Sequence, residues 1–208
     1  MNSEVSKASA VRLLFFTDIA NRGWEATLDA ARVLASSARP GSVAIVLREP
    51  DREARLLYRE ACALLQAVLP WGQLVLVRER LDVALAARAH GVHLAEQSVF
   101  AADLVALPVT RGLWLTRAWH AVNAPCSDTE ANALVISPIM SARKGVSALG
   151  PDGVKVALSH SGSRPVYALG GIDANNARQV LSLGVAGVAV QGAAYAEPAE
   201  LVRALSTP

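Results

Sequence analysis

The chain has 208 residues, 52% hydrophobic and 18% charged, with a formal net charge of +2. That composition supplies a core for one globular domain over residues 1–208 and lacks the polarity of a disordered chain. Acids and bases are interspersed with no basic run of five or more, which argues against nucleic-acid partners, and no stretch nears the ~20 apolar residues of a membrane helix.

In chain order, residues 1–10 are polar, without the apolar centre of a signal peptide, and read as a flexible tail. Two cysteines, Cys62 and Cys126, suit a cytoplasmic chain with reduced thiols. Val11–Phe16 is a short apolar run of the kind that forms a buried parallel strand. Asp18-Ile19-Ala20-Asn21 follows it, where a dinucleotide site needs its glycines. Helical spacing over Trp24–Ala35 leads to a second strand, Val43–Leu47, and helical spacing over Arg52–Val68 to a third, Leu74–Val77. Leu81–Ala89 reads as helix, and Val92–Leu94 and Leu113–Thr116 as strands four and five. His120 to Asn132 holds Pro125 and polar turn residues, which predicts irregular structure. Leu134–Ile136, Val166–Leu169 and Val188–Val190 complete eight strands, with Ala174–Leu183 and Pro198–Leu205 as the last helices. Eight strands alternating with helices predict an α/β fold closed as a single (β/α)8 TIM barrel.

Function in such a barrel gathers at the C-terminal strand ends. Strand seven runs into Leu169-Gly170-Gly171-Ile172-Asp173, and strand eight into Gln191-Gly192-Ala193. Glycines without Cβ atoms let an anion reach backbone amides, and a helix beginning near Asp173 or Ala174 adds the positive end of its dipole. The two corners together predict a phosphate cup holding Gly170, Gly171, Gln191 and Gly192.

Gly91-Val92-His93-Leu94, Ala168-Leu169-Gly170-Gly171-Ile172 and Gly187-Val188-Ala189-Val190, in that order, resemble the thiamine phosphate synthase/TenI family. The resemblance covers about 43–193. It implies a (β/α)8 barrel that binds a small phosphorylated heterocycle, a thiazole phosphate or thiamin phosphate, commonly as a homo-oligomer. Two activities follow from it. The synthase, a transferase, joins a pyrimidine diphosphate to thiazole phosphate with magnesium on the diphosphate. TenI-type isomerases aromatise a thiazole carboxylate phosphate by moving a proton. The synthase motif Gln-hydrophobic-Arg-Glu-Lys is Val46-Leu47-Arg48-Glu49-Pro50 here, its Asn-Asp after strand three is Arg78-Glu79, and its second magnesium-binding Asp falls at Ser98. No metal site is therefore expected, and magnesium would enter only with retained synthase activity. The TenI pattern Arg-Ser-hydrophobic-His after strand five is matched by Arg117-Ala118-Trp119-His120.

The favoured expectation is thus a TenI-like thiazole tautomerase with His120 as acid/base, since an imidazole exchanges protons near neutral pH without extreme tuning. Arg48 is expected to clamp a substrate carboxylate and Arg117, Arg143 and Lys144 to bind substrate, with Trp119 as a pocket wall. The alternatives are a diverged thiamine phosphate synthase and a non-catalytic binder of a phosphorylated ligand.

Overall fold

The computed structural model describes residues 10–142 and 145–206. Eight parallel strands, β1 (Leu13–Phe16), β2 (Val43–Leu47), β3 (Leu74–Arg78), β4 (Gly91–Leu94), β5 (Trp114–Trp119), β6 (Ala133–Ile136), β7 (Val166–Leu169) and β8 (Gly187–Val190), close into a barrel in sequence order. The seam pairs Leu13 with Val188 and Phe15 with Val190. Every predicted strand is present, to within a few residues at its ends. The expected tail, apart from Ala10, lies outside the described residues.

The helices are α1 (Ile19–Arg22), α2 (Trp24–Ser37), α3 (Ala54–Val68), α4 (Leu81–Ala87), α5 (Ala101–Val105), α6 (Gly150–His160), α7 (Ala177–Leu181), α8 (Gly192–Ala196) and α9 (Pro198–Ser206), with 3-10 turns at Leu69–Trp71 and Pro108–Thr110. The connection from His120 to Asn132 holds no helix, as its proline and polar residues predict.

Alternation along the strands sorts side chains between two cores. Leu13, Phe15, Val43, Ile45, Val75, Val77, Leu115 and Leu134 face the helices, while Leu14, Phe16, Ala44, Val46, Leu74, Leu76, Trp114, Val135, Tyr167 and Ala189 fill the barrel. Burying each large apolar side chain contributes about 1.5–3 kcal/mol. Tyr167 is tolerated inside because its hydroxyl donates to the Val11 carbonyl at 3.1 Å, and its ring meets the edge of Trp114 at a centroid distance of 6.1 Å. Buried Gln73 donates to the carbonyls of Ala35 and Arg39 and accepts from the Val43 amide, closing the opposite end. No helix among the described residues is long and apolar enough to cross a membrane.

Candidate active site

At the C-terminal end of the barrel lies a cavity of about 340 Å³. Its wall continues the inward parity of the strands: Phe16 after Leu14, Arg48 after Val46, Arg78 after Leu76, Ala118 and His120 after Thr116, Ser137 after Val135, and Gln191 after Ala189. Period-2 alternation thus carries the apolar interior upward into a polar mouth. Arg48 and His120 were expected there and line it. Gln191, expected in the cup, lines both.

His120 is held by a residue from the neighbouring strand end. Glu96 Oε1 accepts the backbone amides of His120 at 2.6 Å and Ala121 at 3.2 Å, and Oε2 lies 2.9 Å from His120 Nδ1. Partial burial pushes the Glu96 carboxyl up, but the His120 amide and ring and the Ala121 amide outweigh it and hold the group below its ordinary value. The carboxylate is ionised at neutral pH and can only accept, so Nδ1 is its donor. In the sequence alone Glu96 is one charged residue among several near the strand ends. The signal that pairs it with His120 is the adjacency of β4 and β5, whose register sets Leu94 against Arg117.

Arg117 faces the other way. It is 3% exposed, with Nε on Asp128 Oδ2 at 2.6 Å, Nη1 on the Ala95 carbonyl at 2.7 Å and Nη2 on the Val99 carbonyl at 2.6 Å. Asp128 in turn accepts the Ala101 amide at 2.9 Å. The expectation that Arg117 binds substrate is corrected: its donors tie the loop after β4 to the loop after β5. Trp119 is likewise part of the outer core and no wall of the cavity. Both miss for one reason. With Ala118 and His120 pointing in, residues 117 and 119 must point out.

The two glycine corners do converge. Gly170, Gly171, Gln191 and Gly192 line one cavity of about 570 Å³ with Ser141 and Ala193. Leu169 and Gln191 border this cup and the mouth cavity alike, so the two are neighbours. Gly170 and Gly171 adopt φ of 112° and 71°, a region that disfavours a side chain. A Cβ on Gly171 would stand 2.7 Å from Ser141 Oγ.

The helix expected near Asp173 starts at Ala177. The Asp173 amide donates to Asn176 Oδ1 and the Ala174 amide to Glu197 Oε1, while Asp173 Oδ1 accepts the amides of Asn175 and Asn176. An Asx-type turn takes the residues predicted as the first helical turn. Gly192 and Ala193 stand at the start of α8, whose first amides have no partner within the helix. Arg143 and Lys144 lie outside the described residues; Ser141 and Ala142, just before them, line the cup.

The mouth is electropositive on one side. His93, 4% exposed, hydrogen-bonds through Nδ1 to Thr116 Oγ1 at 2.9 Å and meets the ring of Phe16 edge-on at 4.8 Å. Burial, then the charges of Arg78 and Arg48, push its pKa down to about 3, so it is neutral at physiological pH. Arg48 is seated from beneath: its amide donates to Thr17 Oγ1 at 2.9 Å, and that hydroxyl donates to buried Glu49 at 2.8 Å. Arg78 pairs with Glu79 at 2.9 Å, and Glu79 sits in left-handed conformation at φ 57°. A magnesium ion is poorly matched to these residues. The nearest carboxylate after β3 is engaged by a guanidinium, and no cluster of three His, Cys, Asp or Glu able to hold a metal occurs among the described residues.

A family model described as thiamine monophosphate synthase matches residues 15–194. The thiamine-phosphate synthase of Albidiferax ferrireducens is 30% identical over 211 residues, covering 96% of this chain and 91% of that protein. That of Xanthobacter autotrophicus is 31% identical over 192 residues, covering 90% and 88%. Among solved structures, thiamine phosphate pyrophosphorylase from Pyrococcus furiosus superposes with a TM-score of 0.74 at 22% identity, covering 96% of this chain and 97% of that one, a likeness of fold. The family match spans most of the barrel and both glycine corners, and the chain belongs to the thiamine monophosphate synthase family.

Proposed function

We propose that this protein binds a phosphorylated thiazole of thiamine metabolism and moves a proton on its ring, as a thiazole tautomerase. The observation that carries the reading is the adjacency of two cavities, one lined by Gly170, Gly171 and Gly192 and the other by His120 and Arg48. The phosphate belongs in the cup, where Gly171, Gly192 and Ala193 offer backbone donors; Arg143 or Lys144, outside the described residues, is the proposed cation. The ring lies against Phe16, Val135 and Leu169. Arg48 takes a carboxylate on the ring through its planar fork. His120 removes a proton from one ring position and returns it at another, so no atom is gained or lost.

The names of the relatives favour a second reading, transfer of a pyrimidine diphosphate onto thiazole phosphate. Against it stand Val46, Pro50 and Ser98 at the positions that contact diphosphate and metal in the synthase motif. One pair of assays separates the readings. The purified protein is expected to aromatise the thiazole carboxylate phosphate tautomer, seen as an ultraviolet absorbance change, and His120→Ala to lose at least ~10²-fold in kcat. Magnesium-dependent release of diphosphate would instead establish the transferase. Binding of thiazole phosphate by calorimetry, with neither turnover, would make the protein a non-catalytic binder.

A further inference from the structure

The geometry points to Glu96 as a positioning residue that fixes the His120 ring as the Nδ1–H tautomer and presents the Nε2 lone pair to the cavity. The inference rests on the acid/base reading of His120 and names what makes that histidine a base.

A neutral imidazole carries its proton on one of two nitrogens, and only the bare one accepts a proton. The choice is made here by a carboxylate whose two oxygens have separate tasks. Oε1 is occupied by the backbone amides of His120 and Ala121, and Oε2 faces Nδ1. Because Oε1 grips the same residue whose ring meets Oε2, the carboxylate cannot rotate away without releasing two amides. Nε2 has no partner among the described residues, and both side chains border the 340 Å³ cavity. Carboxylate, imidazole and open cavity follow in that order, the arrangement in which a carboxylate orients a general base.

The loop that carries Glu96 is fixed in turn. Arg117 binds the carbonyls of Ala95, Glu96, Ser98 and Val99, and its charge is balanced by Asp128 within the protein. Four carbonyls within residues 95–99, between β4 and α5, are thereby held against β5, the strand that ends just before His120. A buried guanidinium with this many carbonyl acceptors is costly to assemble and rigid once made. One of those carbonyls is that of Glu96 itself, so the same network fixes the backbone that carries the carboxylate.

Glu96→Gln makes the inference testable. The Oε1 position must stay an acceptor, because two amides point at it, so the glutamine oxygen takes that place. Its NH2 then faces Nδ1 and donates, which drives the ring proton to Nε2. The substitution inverts the tautomer while keeping every loop hydrogen bond. In ligand-free protein labelled with 15N-histidine, long-range proton–nitrogen correlations above pH 7.5 are expected to show His120 protonated at Nδ1 in the parent and at Nε2 in Glu96→Gln. The melting temperature should fall by no more than about 2–4 °C, the effect of losing the charge on one partly exposed carboxylate. In the tautomerase assay Glu96→Gln should lose about 10²-fold in kcat with KM unchanged.

An Nε2-protonated ring in the parent, or an unchanged tautomer in Glu96→Gln, overturns the inference. So does a kcat unaffected by the substitution in an active protein. An inactive parent that nevertheless shows the Nδ1–H ring and its inversion overturns the tautomerase reading and leaves the orienting role standing. Should Glu96→Gln melt low, Glu96→Ala provides the second arm: the ring must lose its Nδ1 preference there too.

Discussion

His93 shows how a single side chain serves the barrel at a cost in acid. Its ring is neutral when folded, with a pKa of about 3, against the ordinary 6.5 it regains on unfolding. Between those values the unfolded chain binds the extra proton, so stability falls as pH drops through this window, by up to about 1.4 kcal/mol per pH unit. His93→Gln, which keeps a polar group for Thr116, is expected to flatten the fall of the urea midpoint between pH 6.5 and 4. A variant as acid-sensitive as the parent would place the acid response elsewhere. Glu96 has the opposite origin and the same sign: its carboxyl is depressed in the folded state, so its contribution is present above the ordinary carboxylate range and lost below it. Residue types at this scale were legible in the sequence, since Arg48 and His120 stand where strand ends predict. Directions were not. Arg117 and Trp119 were read as site residues from a motif, when the alternation of Thr116, Ala118 and His120 already assigns them outward.

Among elements, the cup was legible and its helix was not. Paired glycines after β7 and a Gln-Gly after β8 mark the corners. Side-chain capping by Asp173, Asn176 and Glu197 consumes the stretch that helical periodicity would assign to the first turn, and Glu197 is distant in sequence. α6 and α8 lack a strong apolar stripe in the sequence, and both form against the barrel. The glycines separate fold from binding. Gly170→Ala forces a Cβ at φ 112° to within 3.1 Å of Pro138 Cα and 3.2 Å of the Ile139 nitrogen, and is expected to cost about 1–3 kcal/mol. A methyl on Gly192 meets nothing within 4 Å, so Gly192→Ala should leave the melting temperature equal or raise it, by up to about 1 kcal/mol of stability. Its expected effect is weaker thiazole phosphate binding by calorimetry, and undiminished affinity would remove Gly192 from the phosphate contacts. The Arg117–Asp128 tie between loops makes the reverse prediction. Arg117→Ala strands a buried carboxylate and should cost about 3–5 kcal/mol by urea denaturation, a loss far above that of a ligand-contacting arginine.

For the whole molecule, the α/β alternation specifies a parallel sheet covered on both faces, and the count of eight strands with no dinucleotide glycines after the first favours closure over a doubly wound sheet. Function at this scale was legible as a family; the carboxylate–histidine geometry required coordinates, since residues 96 and 120 meet only when neighbouring strands align. Barrel closure has a further consequence through the pairing of β1 with β8. Along the chain the two sides of that seam lie seven strands apart, and the second corner of the cup comes with the later one. Under the proposed function, a phosphorylated ligand gripping both corners would act as a latch on a ring already shut. At a hundred times its dissociation constant it would add about 2.7 kcal/mol against opening, so substrate supply would set how long a finished barrel survives.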